Sequence, residues 1–84
     1  MQKTGIFAII KRKLLEVLPD LEPAAIVPEE SMRNLGANSI DRVDVVIETM
    51  EELRLNIPLS QLGHIKNLQE LVDFFHERMG AETS

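Results

Sequence analysis

The stretch LGANSIDRVDVVIETMEEL, residues 35–53, decides how this chain is read. Gly36 and Asn38 break the chain, Ser39 follows, and from Ile40 onward branched apolar residues and acids recur at helical spacing. The pattern predicts a helix over about 39–54, opened by a serine. Two readings of Ser39 stand side by side. In one it is an N-cap whose oxygen accepts an amide of the first turn. In the other its hydroxyl is an attachment point, because the unpaired amides and partial positive charge of a helix N-terminus would favour a phosphate ester there. Gly36 would let the preceding loop turn sharply and leave the serine open to a modifying enzyme.

The same helix has more apolar surface than a core needs. At ~100° per residue, Val45, Leu53, Val46, Met50, Val43, Ile47 and Ile40 cover roughly 220°. A helix packed on one side needs a stripe nearer ~100° wide. Asp41, Asp44, Glu48, Glu51 and Glu52 share the remaining arc. Either the helix is central and buried on most sides, or Val45, Val46 and Leu53 face the core while Ile40, Val43 and Ile47 stay outside. An apolar patch rimmed by acids is the pattern of a docking surface.

Working outward, Ile6, Phe7, Ile10, Leu14, Val17 and Leu18 predict an amphipathic helix over 3–18, stopped by Pro19, which lacks an amide hydrogen. Pro19, Pro23, Pro28, Gly36 and Asn38 mark 19–38 as a long connection, with one short turn expected at 31–35. Pro58 ends the second helical pattern, and 59–64 is expected to form a short helix. Asn67 and Glu70 make an N-x-x-E cap before Leu68, Leu71, Val72 and Phe75, predicting a last helix over 67–79 that stops near Gly80, with the tail AETS frayed. No stretch alternates long enough for a strand. The expected fold is all-α: a small four-helix bundle of three long helices and one short one, with a long first loop, as a single domain over 1–84.

Composition narrows the function. The 84 residues hold no cysteine, which excludes disulfides, thiolate metal sites and a cysteine nucleophile. The only early apolar run, Ile6 to Ile10, is too short for a signal sequence or a membrane span of ~20 residues, so a cytoplasmic location is expected. Lys3, Lys11, Arg12 and Lys13 make the first helix basic, but the chain as a whole carries a formal charge of −5. An acidic body repels nucleic acid and favours partners with basic surfaces. Enzyme chemistry is poorly supported. Ser39 lacks a G-x-S-x-G elbow, and His64 and His76 read as surface residues. Neither a D-x-D-x-D-G nor an H-x-x-x-H pattern is present for a metal. A non-modified, acidic protein-binding module would explain the second helix but assign nothing to Gly36 and Ser39.

With LGANSIDRVDVVIETMEE, the NIP that follows and the capped last helix in view, the chain resembles the acyl carrier protein family over residues 3–79. The resemblance implies that Ser39 is the serine a phosphopantetheinyl transferase loads with phosphopantetheine. It implies that Ile40, Val43 and Ile47, flanked by Asp41, Asp44 and Glu48, meet partner enzymes. Two positions depart from the common pattern: Asn38 stands where Asp is usual, and Arg42, also on the expected partner face, where a neutral residue is common. Both remove negative charge near the attachment point. GANSIDR and LNIP, in a chain read from Met1 as free-standing, are similar to the discrete carriers of polyketide β-branching cassettes. There the partners would be an acyltransferase, a decarboxylating ketosynthase and an HMG-CoA-synthase-like enzyme, met by a monomeric carrier. Acceptor carriers of that kind are marked by a tryptophan, which this chain lacks, so the resemblance implies the acetyl or malonyl donor. The alternative it leaves is a fatty-acid or general polyketide carrier.

Overall fold

The computed structural model describes residues 1–83, with side chains described through Gly80. Among them the chain forms three α-helices, α1 (Lys3–Val17), α2 (Ser39–Leu53) and α3 (Leu68–Thr83), and two isolated 3-10 turns, Pro23–Ala25 and Leu59–Leu62. No strand is present among the described residues.

α1 is the keystone. It packs against both α2 and α3, whereas α2 and α3 approach each other much less closely. Its buried face is Ile6, Ile9, Ile10 and Leu14. These meet Val45 of α2 and Leu68, Leu71 and Phe75 of α3, all essentially inaccessible to solvent. Each such side chain contributes about 1.5–3 kcal/mol by leaving water. Thr49 of α2 is buried among them, and its Oγ1 has no hydrogen-bond partner. α1 ends where the Leu18 amide donates to Leu14 O at 2.8 Å and Pro19 can offer no further donor.

The long loop 18–38 is fastened to α3. The amides of Leu68 and Gln69, two of the orphan donors of that helix start, donate to Glu30 O at 2.9 Å and Pro28 O at 2.8 Å. The expected N-x-x-E cap forms alongside. The Glu70 amide donates to Asn67 Oδ1 at 2.8 Å, while Glu70 Oε1 accepts the Lys66 amide instead of that of Asn67. Buried Ile26 anchors the middle of the loop. The turn expected at 31–35 is closed by Leu35 N–H to Ser31 O at 3.1 Å and Asn34 N–H to Ser31 Oγ at 3.0 Å. α2 ends at Arg54, whose left-handed backbone (φ 59°) performs the reversal that glycine usually performs.

The expected bundle of three long helices and one short helix is not what forms. The stretch 59–64 makes only a 3-10 turn, held by a three-residue bond from the Gln61 amide to Pro58 O at 3.0 Å. Pro58 fixes its start and Gly63 follows at once, and four residues cannot offset the cost of nucleating an α-helix. α3 also passes its expected stop and continues through Gly80 to Thr83, where the tail was expected to fray; Ser84 lies outside the described residues. The turn at Pro23–Ala25 carries no periodic signal and was not foreseen.

Two sets of ion pairs tie the helices at the surface. Glu52 of α2 meets Arg12 and Lys13 of α1, and Asp73 of α3 meets Lys3 of α1. The Arg12 hydrogen bond holds the Glu52 carboxyl below its ordinary pKa, and the Lys3 hydrogen bond does the same for Asp73. No helix among the described residues is long and apolar enough to cross a membrane.

Candidate functional site

At the start of α2 the cap is Asn38. Its Oδ1 accepts the Asp41 amide at 2.8 Å. Ser39 is therefore the first helical residue. It is exposed, and among the described residues its hydroxyl has no hydrogen-bond partner. The amides of Ser39 and Ile40 are likewise unpaired there, as the first donors of a helix are unless something external meets them. Two features hold this turn in place. Gly36 takes a positive φ of 105°, a conformation that favours glycine, with open space where a side chain would stand. Ala37 is buried, and its carbonyl accepts a hydrogen bond from Arg42 Nη1 at 3.1 Å. Arg42 is thus half-buried against the loop, bracing the segment that leads into Ser39.

The face of α2 follows the second of the two arrangements weighed from periodicity. Val45, Val46, Met50 and Leu53 are buried, while Ile40 is 71% exposed, Val43 41% and Ile47 36%. Asp44 is exposed, and Asp41 and Glu48 are half-buried beside that stripe. The acids divide in two. Glu52 is engaged by α1, but Asp41, Asp44 and Glu48 have no ion-pair partner among the described residues. Leu59, 43% exposed, adds to the apolar patch from the 3-10 turn. Nothing in the sequence signals that, since a leucine after Pro58 reads equally well as a core anchor.

Because α2 and α3 stand apart, a cleft of about 620 Å³ opens between them, with Ser39, Arg42 and Val43 along one wall. Met32, Val46, Leu62 and Leu68 supply apolar lining, and Arg33 and Lys66 reach it from the loops. None of the loop residues was singled out from the sequence. Their meeting depends on the spacing of two helices, which periodicity does not encode.

Comparison with known proteins gives this geometry a family. Residues 8–75 match the PP-binding family, described as a phosphopantetheine attachment site. The chain belongs to the acyl carrier protein family. The carrier is 34% identical over 79 residues to the polyketide biosynthesis acyl-carrier-protein AcpK of Bacillus subtilis, covering 94% of this chain and 96% of that protein. It is 34% identical over 71 residues to an acyl carrier protein of Phenylobacterium zucineum, covering 83% of this chain and 90% of that one. It also superposes, with a TM-score of 0.82 and 39% identity, on a chain from the crystal structure of the curacin biosynthetic pathway HMG synthase in complex with acetyl donor-ACP. That match spans 89% of this chain and 96% of the other.

Acyl carrier proteins hold cargo and do not catalyse, and they do so on covalently attached phosphopantetheine. The arm supplies the thiol of the thioester, which a chain without cysteine cannot supply itself. The first turn of α2 fits a phosphate ester, with an exposed hydroxyl free of capping duty and two unpaired amides beside it. Neither histidine lines the cleft beside Ser39. His64 sits edge-on to the Phe74 ring, 6.1 Å between centroids, and His76 is exposed on α3. Among the described residues no group of three or more potential metal ligands comes together.

Proposed function

We propose that Ser39 carries the phosphopantetheine and that this carrier, one domain over 1–84, is the acetyl or malonyl donor of a polyketide β-branching system in the cytoplasm. The observation that carries the Ser39 reading is the division at the helix start: Asn38 caps, which leaves the Ser39 hydroxyl exposed and unengaged. The donor reading is supported by the likeness to an acetyl donor carrier seen with an HMG synthase, and by the absence of tryptophan. The partners are then a phosphopantetheinyl transferase, an acyltransferase, a decarboxylating ketosynthase and an HMG-CoA-synthase-like enzyme. They meet the carrier at Ile40, Val43 and Ile47 with Asp41, Asp44 and Glu48. Unpaired acids around an exposed apolar stripe give fast, weak encounters with basic enzyme surfaces. Tethering keeps the cargo at high effective concentration for each of them.

Two measurements test this. Intact mass after co-expression with a phosphopantetheinyl transferase should show one added arm on the parent and none on Ser39→Ala. A modified Ser39→Ala protein would move the attachment to another serine. The acetyl-loaded carrier is then presented to an HMG-CoA-synthase-like enzyme with a separate β-ketoacyl carrier. It should supply the acetyl group for the new carbon–carbon bond, and the same carrier loaded with a β-ketoacyl group should be a poor acceptor. Efficient elongation by a fatty-acid ketosynthase, with no reaction in the first assay, would make it a general carrier.

A further inference from the structure

The exposed stripe of α2 is bordered by charges of opposite sign on its two sides. At ~100° per residue, Ile40, Val43 and Ile47 share one edge of the helix, Asp44 and Glu48 follow on one side of it, and Arg42 lies past the other. The gap towards α3 is on the Arg42 side. Its lining includes Arg33, Arg42 and Lys66 and not one acid, in a chain of 14 acids against 9 lysines and arginines. Val43 and Leu59, 41% and 43% exposed, belong to that lining too, so the apolar patch reaches the cationic border. Among the described residues none of these three cations has an ion-pair partner, and neither has Asp44 or Glu48. Lys3, Arg12 and Lys13 of α1, in contrast, are all engaged by carboxylates. The charges that tie the helices are paired, and those around the stripe are left for something outside. Arg42 gives Nη1 to Ala37 O, which holds the guanidinium against the loop and leaves its other donors available. Arg33 and Lys66 are exposed.

We infer that Arg33, Arg42 and Lys66 form a second, cationic half of the docking face, fitted to an enzyme that sets carboxylates beside the basic residues meeting Asp44 and Glu48. The inference rests on the stripe of α2 being the docking face, and it adds the sign of the partner's surface on the far side of that stripe. A partner with bases on both sides meets the three cations as like charges and is disfavoured, whereas one with matching acids gains there. Borders of opposite sign also fix direction. A rim of acids alone accepts a basic partner either way round, but here a half-turn about the centre of the stripe sets like charges together on both sides. Ser39 is therefore presented to the same part of the enzyme at every encounter. Because Arg33 and Lys66 are exposed, the added pairs are weak and sensitive to salt, as suits a partner that must leave.

The same cations could instead neutralise a phosphate on Ser39, and the test separates the two. Full-length carrier is prepared with the arm and as Ser39→Ala, each in three versions: otherwise parental, Arg33→Glu/Lys66→Glu, and Asp44→Lys/Glu48→Lys. Arg42 is left in place because it braces Ala37. Calorimetry gives Kd for the HMG-CoA-synthase-like enzyme at low salt and at roughly 0.5 M salt. Each double variant should bind roughly tenfold more weakly at low salt, with and without the arm, and the loss should shrink at high salt. The cation variant is the sharper of the two, because it makes the carrier more acidic and would bind a wholly basic surface more tightly. A carbodiimide, which joins an amine to a carboxylate in contact with it, should link Lys66 to an acid of the enzyme, read by mass spectrometry of the fragments. Parental or tighter binding by Arg33→Glu/Lys66→Glu, beside a loss in the acid variant, would overturn the inference and leave the acidic border as the docking site. A loss seen only with the arm attached would assign the cations to its phosphate and overturn it too, as would the absence of any Lys66 link to the enzyme. Unchanged binding by both variants would overturn the docking face itself. If the parent does not bind this enzyme, the donor reading falls, and a fatty-acid ketosynthase in its place decides the inference by the same outcomes.

Discussion

At the residue scale, the start of α2 holds two adjacent side chains that could each cap a helix, and the structure gives the cap to Asn38. The cap residue and its neighbour should therefore respond differently to the same substitution. Asn38→Ala should cost about 1 kcal/mol in urea unfolding, the usual effect of losing a cap. Ser39→Ala should stay within about 0.5 kcal/mol of the parent, as an exposed side chain without partners does. The reverse order would show that the hydroxyl caps the helix. The motif marks Ser39 as a candidate in the sequence, but does not reveal the division of roles beside it. Asn and Ser are nearly equal as caps, and a helix start read from pattern is uncertain by one residue. Arg42 is similar. The sequence marks it as a departure from the common pattern, but only the coordinates show it reaching back to Ala37 O and bracing the serine loop.

At the scale of the element, α2 has two working faces, and the ion pairs separate them. Asp44 and Glu48 are one turn apart beside the exposed stripe and engaged by no cation among the described residues. Replacing both by Lys should slow transfer to partner enzymes, flatten its dependence on salt and leave the thermal midpoint nearly unchanged. Parental transfer rates at low ionic strength would remove this face from the docking account. Glu52 answers to a different test. Its folded pKa is depressed by Arg12, so its contribution to stability is present above the ordinary carboxyl value and is lost as pH falls through the lowered one. Glu52→Gln should remove that component from the acid limb of a stability profile and leave partner transfer alone; an unchanged acid limb would mean the pair is not formed in solution. The three helices were readable because each keeps an apolar stripe at helical spacing. The short helix over 59–64 was not: Leu59 and Leu62 fit a turn of either kind, and Pro58 and Gly63 leave room only for the tighter one. Backbone carbonyls of Pro28 and Glu30 capping α3 leave no residue-type signature at all.

At the scale of the whole molecule, the arrangement around α1 divides the apolar residues into those that hold the fold and those that wall the cleft. Phe75 is fully buried where α3 meets the core, whereas Leu62 is half-buried at the edge of the gap between α2 and α3. Phe75→Ala should cost about 3–5 kcal/mol, a large share of the roughly 4–13 kcal/mol that a chain of this length has to lose. It should lower the stability of all three helices together, as a single transition. Leu62→Ala should cost about 1 kcal/mol or less, since part of that side chain already meets water. Hydrogen exchange would report the same division. Amides of Ile10 and Leu14 should open only with global unfolding, and those of 59–67 should exchange far faster through local opening. If Leu62→Ala proved as damaging as Phe75→Ala, or if 59–67 were protected like α1, the cleft would be a closed part of the core. The space beside Ser39 could then not open without unfolding the protein. If the two variants separate as expected, α1 holds α2 and α3 in place while the gap between them, where the first turn of α2 presents Ser39, opens and closes independently of the core.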